Sequence, residues 1–300
     1  MSNHIFWIAS FPKSGNTLTR AIISSLFFTN DGNFSLEKLS NINQFEKTAI
    51  IVKNKKIFGE DFNNLNDTST FYKYMHKLQT KEVLGFNQDF IFLKTHSGLY
   101  EIGGNPFTKK ETTRGIIYII RDPRDVCISW SKHLDLSFDK IIDFMTNEFA
   151  SSPWVEPSSS QVYFENDKRP KSFLSSWDKH VVSWTSQSWG VPVKVIKYED
   201  LVYNKNIVLK DIVNFFIENY NFKFIGIEDK IRNILISTDF NKLKKEEKEK
   251  KFFGNKKHDF FSVGKKDQWK EVLSTKQIEK IENKFKYIMR KFGYKLAVEI

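Results

Sequence analysis

Cysteine is nearly absent from this chain of 300 residues: there is one, Cys127. A single thiol excludes an internal disulfide framework and a cysteine-rich zinc site. Long hydrophobic runs are missing too. The longest, AIISSLFF at 21–28 and GIIYII at 115–120, fall well short of the ~18 residues that span a bilayer. No basic n-region and no cleavage site precede IFWIASF, so no secretory signal peptide is expected, and the chain reads as soluble and cytoplasmic. No internal repeat is visible. No carboxylate cluster has metal-ligand spacing, so no metal is expected.

Acidic residues are outnumbered, 36 against 47 Lys and Arg, for a net charge of +11. Such a balance favours an anionic partner: nucleic acid, a membrane surface or a phosphorylated small molecule. Nucleic-acid binding would call for a dense basic stripe interleaved with aromatics. The one dense stripe, 242–257, is diluted by Glu246, Glu247 and Glu249, and neither a nucleic acid nor a membrane is the expected partner. Phe (29 residues), Lys, Asn and Ile are all frequent, which an AT-rich coding sequence also produces. Where the charge sits therefore says more than its total.

Hydrophobic residues make up 40% of the chain, enough for a substantial core, and the length allows one large or two small domains. Strand and helix signals alternate. IFWIA (5–9) is a short apolar strand, followed after a turn by TLTRAIISSLFF (17–28), in which Leu18, Ile22 and Leu26 share a helical face. FIFLKT (90–95), GIIYIIR (115–121) and VPVKVIKY (191–198) read as further strands. The second of these is β-branched without alternation, as a strand covered on both faces should be. Asp122 followed by Pro123 is a helix start. Helices are predicted over 172–189, 204–220 and 275–294. The pattern predicts an α/β fold: a single domain over 1–300 with a central parallel sheet flanked by helices. The Pro/Ser-rich stretch 151–172 reads as a loop, and the charge run 242–261 reads as a solvated helix end or a flap.

SFPKSGNT (10–17) lies between the first strand and its helix. Small and hydroxylated residues there expose backbone N–H groups, the helix N-terminus adds partial positive charge, and Lys13 adds a full one. Together they suit a phosphate or sulfate. The order GxxxxGK[ST] is absent, because the lysine precedes the glycine. A second such turn, RDPRDVCIS (121–129), follows the third strand. It places Arg121 at the strand edge where ligands bind in open α/β sheets.

PKSGNT resembles the 5′-phosphosulfate loop of the cytosolic-type sulfotransferases, usually PKSGTTW. RDPRDVCIS resembles that family's 3′-phosphate motif, an Arg followed eight residues later by Ser. FLKTHSG (92–98), SWDKHVVSW (176–184), KYEDL (197–201), STDFNKLKKEE (237–247) and FSVGKKDQWKEVLS (261–274) resemble later family segments, in the family's order. The resemblance implies a P-loop NTPase-like fold and a transfer from 3′-phosphoadenylyl sulfate (PAPS), as co-substrate, to a hydroxyl or amine on a small-molecule acceptor. It implies that Lys13, Ser14, Gly15, Asn16 and Thr17 hold the 5′-phosphosulfate, and that Arg121 and Ser129 hold the 3′-phosphate. Tyr198, Thr238 and Phe240 would contact adenine, and Gly264 would close over the 3′-phosphate. His96 would be the general base, with Lys94 and Lys13 stabilising the transferring group. Two positions depart from the family pattern. Its adenine-stacking tryptophan is Leu18 here, and its Arg-Lys pair before the late glycine is Ser262 and Val263.

The chemistry fits these residue types. Sulfuryl transfer is an in-line displacement that needs alignment and stabilisation of spread negative charge. Histidine is suited to take a proton near neutral pH. His4, His76, His133, His180 and His258 read as structural. The alternative is a P-loop kinase acting on a small alcohol or nucleoside, which would need Mg·ATP and the Walker lysine. Acceptor walls are expected from 27–90, 131–172 and 242–261, whose aromatic content points to an apolar or aromatic acceptor. A homodimer is possible, since KEVLSTKQIE (270–279) resembles the family's dimer motif with Thr275 and Lys276 straddling the expected positions.

Overall fold

A computed structural model of the chain describes residues 3–152, 170–250 and 264–297. Strand β1 (Ile5–Ser10) runs into helix α1 (Asn16–Phe28). A run of short pieces follows: β2 (Asn43–Gln44), α2 (Thr48–Lys53), α3 (Thr68–Tyr72), α4 (Met75–Leu78) and α5 (Lys81–Leu84). Next come β3 (Ile91–Thr95), a small hairpin of β4 (Glu101–Ile102) and β5 (Asn105–Pro106), and β6 (Thr113–Ile120). Helices α6 (Pro123–Leu134), α7 (Phe138–Thr146) and α8 (Trp177–Thr185) precede β7 (Val193–Lys197). The remainder is helical: α9 (Tyr198–Tyr203), α10 (Lys205–Tyr220), α11 (Ile227–Ser237), α12 (Phe240–Lys250), α13 (Trp269–Val272) and α14 (Thr275–Lys291).

The main sheet has the order β2-β3-β1-β6-β7, and every pairing in it is parallel. β1 is central. Its side chains alternate between two cores: Ile5, Trp7 and Ala9 face one, Phe6 and Ile8 the other. The first core takes α6, α8 and α14, and the second takes α1 and α10. Both faces are covered, which is why the strand sequences are continuously apolar. This is the α/β sheet expected from the sequence.

One helix is shorter than its sequence suggests. The amphipathic stretch 172–189 is helical only over Trp177–Thr185. Phe173 forms an antiparallel bridge with Ser151, and Ser175 is left-handed at φ 60°, so the chain cannot enter the helix until Ser176 caps it. At the other end, Gly293 (φ 72°) closes α14, three residues short of the predicted limit, with Gly293 N–H donating to the Arg290 carbonyl at 2.9 Å.

The stretch 27–90 carries no long periodic signal, yet it folds as short helices that bury Phe45, Ile51, Phe58, Phe71, Tyr72 and Met75 against the first core. The charge run begins as α12, laced by Lys250 to Glu246 and Glu37 at 2.9 and 2.6 Å. The rest of that run, and residues 153–169 of the proline-rich stretch, lie outside the described residues.

Candidate active site

The turn after β1 is shaped by two left-handed residues, Lys13 (φ 64°) and Gly15 (φ 103°). Gly15 has no alternative: a Cβ there would lie 2.5 Å from Cδ2 of Tyr198. The first backbone bond of α1 runs from Thr19 N–H to the Gly15 carbonyl at 3.2 Å. The N–H groups of Asn16, Thr17 and Leu18 therefore point out of the helix N-terminus, with its partial positive charge. Asn16 braces the turn, its Nδ2 donating to the Ile8 carbonyl at 3.1 Å and to Ser10 Oγ at 3.2 Å. Ser14 Oγ and Asn16 Oδ1 are buried without a protein partner. Thr17 is half-buried at the rim.

Arg121 leaves β6 toward this turn. Its Nη1 donates to the Lys13 carbonyl at 3.0 Å, and its guanidinium stacks 4.2 Å over the Tyr198 ring. Tyr198 is thus wedged between Gly15 and Arg121, which joins the two anion motifs directly. Arg121 is 5% exposed, and its Nε has no partner. Buried donors and acceptors of this kind are rarely left unmatched in proteins. Ser129 lies half-buried farther along α6.

The backbone beside Arg121 is braced from several sides. Asp122 caps α6 by accepting from Arg124 N–H at 2.9 Å, and Asp122 N–H donates to Glu199 at 3.0 Å. Arg124 is buried, bonds Asp122 at 2.6 Å, pairs with Glu282 of α14, and stacks 3.6 Å over Trp269. Asp125 accepts from the N–H groups of Asp267 and Trp269 at 2.8 and 3.1 Å. Burial pushes the Asp125 carboxyl up to about 6. The segment after Gly264 is tied by these contacts to the Arg121 helix. Lys266 N–H also donates to the Tyr203 hydroxyl at 3.3 Å.

Gly264 is left-handed (φ 61°), and a Cβ there would meet the Phe240 ring at 2.9 Å. Phe240 and Gly264 are therefore neighbours. Thr238 is fully buried. Its hydroxyl donates to the Ile234 carbonyl at 2.7 Å, and its own carbonyl accepts from Lys205 at 2.6 Å. Leu18, standing where the family has tryptophan, packs into the second core. Ser262, Val263 and His258 lie outside the described residues.

His96 follows β3 directly and faces the same sheet edge. Its Nδ1 bonds the Ser10 carbonyl at 2.8 Å. A carbonyl only accepts, so Nδ1 carries the proton and Nε2 keeps a free lone pair. Desolvation, then the nearby Lys94 charge, hold the imidazole well below its ordinary value, so the ring is neutral at neutral pH. Lys94 Nζ donates to Gln44 Oε1 at 3.1 Å. His180 is fully buried and structural, donating from Nε2 to the His96 carbonyl at 2.9 Å and accepting from Tyr118 at 2.8 Å through Nδ1. Among the described residues, no three His, Cys, Asp or Glu side chains converge to hold a metal ion.

Asp125 and Glu199 were present inside the quoted motifs without an assigned role; their task, receiving backbone N–H groups from distant segments, has no local signature. The stretch 270–279 contains the Ser274–Gln277 capping box that starts α14. That accounts for its polar pattern within one chain.

A family model described as the sulfotransferase domain matches residues 4–293. No curated protein matches the chain by sequence search. Among solved structures, retinol dehydratase in complex with androsterone and inactive cofactor PAP is similar at 17% identity with a TM-score of 0.60, covering 100% of this chain and 83% of that one. The same figures of identity and TM-score hold for retinol dehydratase with retinol and PAP, of which 84% is covered. Mouse sulfotransferase SULT7A1 complexed with PAP is 18% identical with a TM-score of 0.58, covering 96% of this chain and 84% of that one.

Proposed function

The chain belongs to the sulfotransferase domain family, and from that premise we propose that it transfers a sulfuryl group from PAPS to a hydroxyl or amine of a small molecule, releasing PAP. The observation that carries this reading is the His96 tautomer. A neutral imidazole with Nδ1–H fixed on Ser10 presents an unprotonated Nε2 at the edge where the Lys13–Thr17 turn ends. That is what an acceptor hydroxyl losing its proton requires. A kinase reading has nothing comparable in its favour, since the Walker lysine is absent.

The residues fit the donor. The N–H groups at the start of α1, with Ser14 Oγ, supply donors for a 5′-phosphosulfate. Arg121 is bonded to the same turn at the Lys13 carbonyl and keeps an unmatched Nε, and a guanidinium holds a 3′-phosphate by paired bonds where a lysine offers a point charge. Ser129, Tyr198, Thr238, Phe240 and Gly264 complete the proposed nucleotide site. Within it, Tyr198 holds Arg121 and Gly15 in place, and Thr238 acts through its backbone environment rather than its hydroxyl. PAPS supplies an activated sulfur and a phosphate leaving group. Lys13 and Lys94 balance the charge that spreads as the bond to sulfur exchanges, and His96 takes the acceptor proton at Nε2.

Retinol and androsterone, bound by the neighbouring structures, are small apolar molecules carrying an oxygen function. By likeness to those ligands, an apolar alcohol is the acceptor class we propose. No helix among the described residues is long and apolar enough to cross a membrane, and we propose a cytoplasmic site of action. The test is His96→Ala assayed with labelled PAPS and a panel of alcohols and amines. Turnover should fall about 1,000-fold, with PAP affinity unchanged. Wild-type turnover in the variant would remove His96 as the base.

A further inference from the structure

The sheet stops one residue short of His96. Thr95 is the last residue of β3 in the ladder, opposite Ala9 of β1. Besides the Ser10 carbonyl on Nδ1 and the His180 bond to the His96 carbonyl, a set of side chains at and just beyond the strand end braces the turn that carries the imidazole. Ser97 N–H donates to Thr95 Oγ1 at 2.9 Å. Thr95 Oγ1 in turn donates to Glu46 Oε1 at 2.5 Å, and Ser97 Oγ donates to the same oxygen at 2.7 Å. One carboxyl oxygen thus receives the hydroxyls on both sides of His96.

Glu46 is 1% exposed. Burying an acid is costly unless its oxygens are bonded; Oε2 has no protein partner, so part of that cost stands, and an apolar side chain of the same size would fill the space without it. What an apolar residue cannot do is accept two hydroxyls. The segment that delivers Glu46 is itself anchored. Phe45 N–H donates to the Lys94 carbonyl at 2.8 Å, and the Phe45 ring sits edge-on against Trp7 and Phe107 at 5.4 and 5.8 Å. Two residues before Glu46, Gln44 accepts from Lys94 Nζ at 3.1 Å. A single short edge segment, 44–46, therefore holds the ammonium of Lys94 and the two residues flanking His96.

We propose that Glu46 is a positioning residue for sulfuryl transfer, a strut that fixes the Thr95–Ser97 turn and so the direction of His96 Nε2, while Gln44 on the same segment holds Lys94. This rests on the reading of His96 as the base. Reacting groups displaced by about 1 Å lose roughly 100-fold in rate, so a loosened turn should be visible in turnover without touching the donor site.

The experiment compares the full chain with Glu46→Ala, Glu46→Gln and Ser97→Ala, each with PAP bound. The primary readout is the nitrogen NMR of His96, which needs no acceptor. Wild type should show one tautomer, protonated at Nδ1. Glu46→Ala should give a shifted and averaged signal, and Glu46→Gln, whose amide oxygen accepts both hydroxyls, should restore the wild-type spectrum. Ser97→Ala removes one of the two bonds with little loss of volume and serves where Glu46→Ala fails to fold; its His96 signal should also shift. In turnover with PAPS and an alcohol the wild type sulfates, Glu46→Ala should lose roughly 100-fold in kcat, with PAPS KM and PAP affinity within about twofold. A His96 spectrum and kcat unchanged in both alanine variants would overturn the strut, as would a loss that Glu46→Gln fails to rescue. His96→Ala with wild-type turnover would instead overturn the base, leaving the NMR comparison to judge the strut by itself.

Discussion

Lowering the pH should destabilise this protein through His180. The ring is 0% exposed. Nε2 donates to the His96 carbonyl, so Nδ1 is the acceptor for the Tyr118 hydroxyl, and protonation at Nδ1 would remove that acceptor. Burial holds its pKa down at about 4, against about 6.5 in an unfolded chain. The folded state therefore refuses a proton that the unfolded state takes. The sign follows: stability is complete above about pH 6.5 and is lost as pH falls toward 4. For one such group the loss between about pH 7.5 and pH 5 is about 2 kcal/mol, and the full shift is about 3 kcal/mol. His180→Gln keeps an amide donor for the His96 carbonyl but binds no proton. Urea unfolding followed by tryptophan fluorescence, on wild type and variant at both pH values, isolates the effect. His96 titrates low as well, with His180 only one of its lesser causes, so most of its contribution is common to both proteins. Wild type should be the more stable at about pH 7.5, and should lose about 2 kcal/mol more than the variant on moving to about pH 5. A stability difference that stays constant across the two pH values would refute the reasoning.

Two further outcomes follow from the site. Gly15→Ala places a methyl group against the Tyr198 ring at φ 103°, so it should displace Tyr198 and Arg121 together. PAP affinity, read by calorimetry, should fall about 10- to 100-fold, as about 1–3 kcal/mol of strain implies. In the pH–rate profile, His96 is held low by desolvation and by Lys94, so the acid limb of kcat should lie below the ordinary imidazole value near 6.5. A limb at or above that value would contradict the buried, neutral base.

The sheet was legible because its strands are covered on both faces: IFWIA and GIIYII are continuously apolar and can sit nowhere else. The turn proposed to hold the donor was legible as a turn because it is built from residues adjacent in sequence, Lys13 to Thr17, at a strand-to-helix junction. The same holds for the Asp122–Pro123 helix start. What could not be read was long-range. Tyr198 lies wedged beneath Gly15, 183 positions earlier in the chain, and nothing around Tyr198 announces that contact. Glu46 bonds Thr95 and Ser97 from just beyond a two-residue strand too short to carry a period. The helices between 48 and 84 are four to six residues long, so they never complete the turns over which a helical repeat shows. The overlong reading of 172–189 failed for a local reason, the left-handed Ser175, because serine gives no warning of that conformation.

The central claim is that the turn at 13–17 and Arg121 form one site for a doubly anionic adenine nucleotide whose 3′-phosphate matters. Thermal unfolding of the full chain with PAP, and separately with Mg·ATP, tests it most directly. PAP should raise the melting temperature, and Arg121→Ala should abolish that rise. Mg·ATP, which has no 3′-phosphate, should leave the temperature where it is. Stabilisation by Mg·ATP with none by PAP would contradict the account.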